Sequence, residues 1–266
     1  MLSAIRKLFR ATDSAPAAAI PAGQRVYAIG DVHGRADLFA ALRDAIDADD
    51  SARGPAQTTV ILLGDLIDRG PDSAGVIGAA RDWQKQRDVR ILMGNHEEMF
   101  LDSLEDIEVL RPFLRFGGRE TVLSYGIDRS AYVAAELPEC LAMIRGAVPA
   151  EDLAFIRGFE DRIQIGDYLF VHAGVRPGVP LSEQTRQDLR WIREPFLSHP
   201  AEFGLVVVHG HTIFDVPDIR HNRIGIDTGA WSSGRLTALG LEGTSRWLVE
   251  AEDSGGAIRT AQRSIL

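Results

Sequence analysis

The chain has 266 residues, 45% hydrophobic and 25% charged, a composition that excludes wholesale disorder, collagen-like repeats and coiled coils and suffices for a substantial core. Its 38 acidic against 29 basic residues give a net charge of −9, which argues against general affinity for nucleic-acid backbones but leaves room for a local positive site. The single cysteine, Cys140, excludes an internal disulfide and fits a reducing cytoplasm, and no apolar run reaches the roughly eighteen residues that a transmembrane segment needs.

In chain order, Met1 to Arg10 sets Leu2, Ile5, Leu8 and Phe9 on one helical face, with Arg6, Lys7 and Arg10 on the rest. The segment lacks the apolar region of a secretory signal. With the Ala/Pro/Ser-containing stretch Ala11 to Ala22, it reads as a basic tail and linker (residues 1–22) in preference to a membrane-surface anchor. Strand-length apolar runs follow at Val26 to Ile29, Thr59 to Leu63 and Val89 to Met93. Between them lie helical patterns, with Leu38, Leu42 and Ala45/Ile46 on one face and Ala74 to Arg81 after a Gly-Pro turn. This alternation predicts an α/β fold.

Residues 100–159 are helical in pattern, broken near Gly117-Gly118 and at Pro138, and read as a helical insertion. Further apolar runs at Tyr168 to Val171, Leu205 to Val208 and Ile224 to Ile226 precede a hairpin of Leu236 to Leu241 with Ser245 to Glu250. On this reading one domain covers residues 23–251, and residues 252–266 form a fraying tail.

Polar clusters follow the apolar runs directly, where open α/β sheets collect ligands at strand carboxyl ends. They are Gly30-Asp31-Val32-His33-Gly34, Gly64-Asp65-Leu66-Ile67-Asp68-Arg69-Gly70, Gly94-Asn95-His96-Glu97-Glu98, Val171-His172-Ala173-Gly174 and Val208-His209-Gly210-His211-Thr212. Five of the seven histidines lie in these clusters; His199 and His221 do not. Any one such histidine is ordinarily a packing residue, but imidazoles, carboxylates and a carboxamide gathered at strand ends need compensating charge, which divalent metals supply. Asp31 and His33, alternating off a strand end, would project to one side as two ligands of one metal. Mixed oxygen and nitrogen ligation without thiolate suits manganese, iron or zinc better than calcium. Glu97 and Glu98 read as charges at a helix N-terminus, and glycines 30, 34, 64, 70 and 94 as turn and close-approach positions.

The triplet Gly-Asp-x-His-Gly, Gly-Asp-x-x-Asp-Arg-Gly and Gly-Asn-His-Glu, spaced by about thirty residues, resembles the phosphoprotein phosphatase branch of the calcineurin-like metallophosphoesterases. The bacterial and phage-type serine/threonine protein phosphatases are the nearest in pattern. The two later histidine motifs and Leu189-Arg190-Trp191-Ile192-Arg193-Glu194 extend the resemblance over roughly residues 25 to 230. It implies a central β-sandwich flanked by α-helices, with two divalent metal ions, manganese first and iron or zinc as alternatives.

Carried onto this sequence, the family's roles give the first metal Asp31 and His33, make Asp65 the bridge, and give the second metal Asn95, His172 and His211. His96 becomes the general acid, Asp68 its partner, and Arg69, Arg193 and Asn95 the phosphate contacts. His209 matches no ligand position and is expected to pack beside the metals. The charges agree with these roles: two divalent cations outweigh Asp31 and Asp65 and leave a positive well able to bind phosphate. A water there becomes a hydroxide nucleophile, since such a metal lowers the water pKa to about 7. Arginine suits positions 69 and 193 because its planar fork spans two phosphate oxygens and stays charged. Cys140 lacks the Cys-x5-Arg loop of a cysteine-based phosphatase.

The resemblance also bears on substrate. Symmetrical dinucleoside tetraphosphate hydrolases usually carry Ala where Asp68 stands and Asp where Glu97 stands, so both positions have the protein phosphatase form. The expected activity is phosphomonoester hydrolysis on phosphoserine, phosphothreonine and also phosphotyrosine in proteins or peptides, with small phosphoesters accepted and no nucleic-acid partner. Symmetrical dinucleoside tetraphosphate hydrolysis is the alternative.

Overall fold

The computed structural model describes residues 17–265, so the basic segment Met1 to Arg10 and the first part of the linker lie outside the described residues. Along the chain run β1 (Gln24–Ile29), α1 (Ala36–Ala52), β2 (Gln57–Leu62), α2 (Ser73–Gln84), β3 (Val89–Ile91), α3 (Asn95–Glu105) and α4 (Ile107–Phe113). A π-helical turn (Leu114–Gly118) leads into α5 (Arg119–Ser124), α6 (Arg129–Ala134), α7 (Leu137–Ala147) and α8 (Ala150–Arg157). The chain then forms β4 (Arg162–Ile165), β5 (Tyr168–Val171), α9 (Arg186–Trp191), β6 (Val206–His209), β7 (Asp218–Ile219) and β8 (Arg223–Gly225). Last come α10 (Ala230–Ser233), β9 (Arg235–Glu242), β10 (Ser245–Asp253) and β11 (Ile258–Ile265).

The strands form two sheets, ordered β11-β10-β9-β1-β2-β3 and β4-β5-β6-β8-β7. Within the first, β1, β2 and β3 run parallel; within the second, β5, β6 and β8 do. Alternation along β1 sends Val26 and Ala28 into the layer between the sheets and Tyr27 and Ile29 toward the helices, which is why the strand reads as a continuous apolar run. The inter-sheet core pairs these and Leu63, Leu239 and Leu248 with Tyr168, Phe170, Val208 and Ile226. On the outer face of the first sheet, α1 buries Leu38, Phe39, Leu42 and Ile46 at the spacing of an amphipathic helix. The outer face of the second sheet is covered by Leu189, Ile192 and Phe196. The expected sandwich flanked by helices is therefore present, and the 100–159 insertion consists of short helices kinked at Gly117, whose φ is 118°.

Both proposed domain ends are corrected. Residues 252–265 do not fray: β10 continues to Asp253 and β11 pairs with it along its length, while Leu266 lies outside the described residues. β11 sits at the sheet edge with mostly exposed side chains, so it carries no apolar alternation for a sequence reading to detect. At the other end the linker does not run to Ala22 as unpacked chain, because Ile20 is buried in the inter-sheet core and its N–H bonds to Gly243 O at 2.8 Å. The short strands β4 and β7 also escaped the sequence reading.

Candidate metal centre

Every cluster singled out in the sequence sits where a strand ends on the same side of the sandwich. Asp31 and His33 follow β1, Asp65 follows β2, Asn95 and His96 open α3 just after β3, His172 follows β5, and His211 follows β6. The backbone there is unusual. Among the described residues, the non-glycine positions with positive φ are His33, Asp65, Asp68, Arg69 and His211, all of them in this site. A side chain in that region costs of order 1 kcal/mol, so the surrounding structure must fix it.

Glu97 provides much of the fixing. Its fully buried carboxylate accepts hydrogen bonds from the N–H groups of Gly94, Asp65, Leu66 and Ile67 at 3.1, 2.9, 2.7 and 3.2 Å. Burial, and then the charge of Asp65, push this carboxyl up to about 8. Glu97 stands in the first turn of α3, as the sequence reading has it, where it caps the helix through the Gly94 N–H; it also clamps the loop that carries Asp65. Glu98 also lies in that first turn, and holds the Trp191 Nε1–H at 2.6 Å and the Arg190 guanidinium. Close approach explains Gly64, where a Cβ would stand 2.7 Å from Gly94 N.

The ligand atoms gather into two groups that share Asp65: His33, Asp65 and His96, and Asp65, His172 and His211. Hydrogen bonds set the tautomers. His172 Nδ1 faces Leu63 O at 2.8 Å and His33 Nδ1 faces Ile67 O at 2.7 Å; a carbonyl only accepts, so each Nδ1 carries the proton and each Nε2 offers a lone pair. His172 Nε2 then lies 3.0 Å from Asn95 Oδ1 and 3.4 Å from an Asp65 oxygen, and Asn95 Oδ1 is 2.8 Å from His211 Nδ1. Acceptors facing acceptors in a buried site are what a cation relieves, so these residues fit a divalent metal. Burial lowers the pKa of His33 and His172, and takes His211 to about 3, which keeps the imidazoles neutral as ligation requires.

Asp31 belongs to neither of these groups but lies beside them. Its carboxylate accepts the His211 N–H at 3.0 Å, and its pKa is pushed well up by burial and by Asp227 and Asp65. The expected strand-end alternation of Asp31 and His33 is therefore not how the two are placed: His33 lies beyond the strand with φ 44° and turns toward Asp65, 3.5 Å away. Asp227, raised to about 6 by burial, was missed although it follows the apolar run Ile224 to Ile226 as the other clusters follow theirs.

A cavity of about 320 Å³ opens over Asp65, Arg69, Asn95, His96, Met99, Phe116, Trp191, Arg193 and His211. His96 Nδ1 donates to Asp68 Oδ2 at 2.6 Å, and its Nε2 points inward, 2.8 Å from Arg69 Nη2. Burial lowers the His96 pKa, but Asp65 and Asp68 outweigh it and the net shift is upward. The other Arg69 nitrogen, Nη1, is 2.8 Å from His33 Nε2. Arg193 reaches the same cavity, its Nη2 3.5 Å from His211 O. His209 lies apart from both groups, packed against Phe196 and Phe214, as its mismatch to the ligand pattern predicted.

This fold and this convergence of imidazoles, carboxylates and arginines define a metal-dependent phosphoesterase, a hydrolase. Residues 24–228 match the family described as calcineurin-like phosphoesterase, and the chain belongs to it. It is 27% identical over 234 residues, 79% of this chain and 86% of the other, to the asymmetrical bis(5'-nucleosyl)-tetraphosphatase PrpE of Bacillus velezensis. A shorter match, 36% over 81 residues, covers 30% of this chain and 33% of serine/threonine-protein phosphatase 1 from Salmonella typhimurium. Among solved structures, the cold-active protein-tyrosine phosphatase of a Shewanella species shares the fold with a TM-score of 0.54 at 20% identity, over 91% of this chain and 83% of that one. No helix among the described residues is long and apolar enough to cross a membrane.

Proposed function

We propose that the protein is a phosphomonoesterase of the serine/threonine protein phosphatase type, acting also on phosphotyrosine and on small phosphoesters. The observation that carries this reading is the Asp68–His96 pair, buried, 2.6 Å apart and aimed into the cavity beside Arg69. Asp31, His33 and Asp65 would hold one divalent cation, and Asp65, Asn95, His172 and His211 the other. Bound there, the cations, manganese for preference, supply Lewis acidity to the phosphoryl group and lower the pKa of water.

The chain's own groups do the rest. Arg69 and Arg193 receive the phosphoryl oxygens, and Arg69, drawn toward the phosphate, leaves the Nε2 atoms of His33 and His96. His96 Nε2 then carries the proton given to the leaving alkoxide. Asp68 holds Nδ1–H, orients the ring and favours its charged form.

A second reading, hydrolysis of dinucleoside tetraphosphates, is favoured by the relatives that align along most of the chain and by an exposed aromatic ring, Phe116, on the cavity lining. Phe116, 56% exposed, is placed to receive a planar base; Trp231, 42% exposed, lies 5.5 Å from the Arg69 guanidinium. The test is turnover with manganese of a phosphoserine/phosphothreonine/phosphotyrosine peptide panel beside symmetrical diadenosine tetraphosphate, with His96→Asn as control. Peptide preference lost in the variant supports the first reading; dinucleotide preference replaces it with the second.

A further inference from the structure

The helical insertion touches the acid machinery at one fully buried hydroxyl. Thr121, on α5, donates from Oγ1 to Asp68 Oδ1 at 2.6 Å and accepts the Asp68 N–H at 2.9 Å. The proton count leaves one arrangement. Thr121 has one O–H, which the carboxylate takes, so the 2.9 Å contact with Ser73 Oγ is a donation from Ser73 to Thr121. The Asp68 N–H is shared with Ser73 Oγ at 3.0 Å. Each oxygen of the Asp68 carboxylate therefore has its own donor, Thr121 on Oδ1 and the His96 ring on Oδ2.

Asp68 needs such a hold. Its φ is 73°, and the next residue, Arg69, has φ 69° and an N–H bonded to Gly117 O at 3.1 Å, again within the insertion. A carboxylate with one oxygen unheld can rotate about its Cα–Cβ and Cβ–Cγ bonds, and the ring bonded to the other oxygen rotates with it.

We propose that Thr121 is a positioning residue for proton donation: it locks the carboxylate of Asp68, which in turn aims His96 Nε2 at the leaving-group oxygen. The inference rests on the reading of His96 as general acid. It gives the 100–159 insertion a part in the reaction beyond covering the sheet, since α5 reaches the acid pair and the turn before it reaches Arg69.

Dependence on the leaving group separates this role from a merely structural one. A misaimed acid slows expulsion of a basic leaving group and spares one that departs without a proton, whereas general damage to the site slows both alike. The experiment compares kcat and KM on phenyl phosphate, whose phenolate is as basic as tyrosinate, and on p-nitrophenyl phosphate, with manganese. Thr121→Val is expected to lose about 10–100-fold in kcat on phenyl phosphate, less than about 3-fold on p-nitrophenyl phosphate, and little in KM on either. Thr121→Ser, which keeps the hydroxyl, is expected to recover most of the loss.

If Thr121→Val does not fold, Thr121→Cys, of similar size and a weaker donor, carries the same comparison. Equal losses on both substrates, no loss, or no recovery in Thr121→Ser would overturn the inference. His96→Asn distinguishes the two levels. If it discriminates between the leaving groups and Thr121→Val does not, only the role of Thr121 fails; if His96→Asn slows both substrates equally, the general-acid reading fails and the inference with it.

Discussion

The two sheets meet at one site but bring different chemistry to it. The loops after β1, β2 and β3 deliver carboxylates, an amide, an arginine and the Asp68–His96 pair on a backbone with four left-handed non-glycine residues, pinned by Glu97. The loops after β5 and β6 deliver two imidazoles, His172 and His211, buried, neutral and facing acceptors. Under the proposed function this is a division of labour: both sheets would share in holding cations, while proton delivery and the Arg69 grip on phosphate would fall to the first sheet and the insertion packed on it.

Asp65 belongs to both groups, so breaking it should erase the distinction. Asp65→Asn is expected to reduce activity to background and to lower metal content by elemental analysis at both sites, as chelation of the native enzyme should; full occupancy in the variant would refute the bridging role. His96→Asn sharpens the comparison, because it should lower kcat by about 10²–10³-fold with metal content unchanged. A change confined to KM would move the acid elsewhere. Glu97→Gln tests the pinning of the first sheet's loops. Its amide can accept on one oxygen only, so turnover should fall about 10–100-fold and urea denaturation should reveal a loss of about 1–3 kcal/mol.

The second sheet's neutral imidazoles make a pH prediction through His209, which holds no proposed metal. Burial takes its pKa from 6.5 down to about 4, so the folded state prefers the neutral ring and the unfolded state binds the extra proton first. The stabilisation is complete above pH 6.5 and drains away as pH falls toward 4, by about 3 kcal/mol at most. Urea denaturation of His209→Leu should therefore depend less on pH across that window than denaturation of the native chain. The smallest effect expected is at the rim: Phe116→Ala should raise KM a few-fold for substrates with a ring beside the phosphate and leave alkyl phosphates unchanged.

The first sheet's contribution was legible because parallel strands buried on both faces give uninterrupted apolar runs, and each run ends in its polar cluster. Gly30 to Gly34, Gly64 to Gly70 and Gly94 to Glu98 could be placed without coordinates. Asp227 offered the same signal and was overlooked. Thr121, Phe116 and Trp231 offered none, since a threonine in a helix and an exposed ring are ordinary until tertiary packing sets them beside Asp68 and Arg69. The edge strand β11 was illegible for the opposite reason: with both faces largely wet, its residues are chosen for solubility, and only backbone pairing declares it a strand. The conformation of His33 was equally hidden, because a positive φ is imposed by Val32 and His33 N–H groups reaching Asp65 O across the loop.

The sheet order also sets a schedule. β1 lies between β2 and β9, and roughly 200 residues separate it from β9. At about 5–20 residues per second, a growing chain would leave one edge of β1 unpaired for about 10–40 s. For much of that interval, once residue 96 is made, the motifs carrying Asp31, Asp65 and His96 are present while His211 has yet to be added. Newborn chains thus pass through a window of exposed strand edge and half-assembled metal ligands, when a chaperone or an early metal ion would have its greatest influence on the yield of active enzyme.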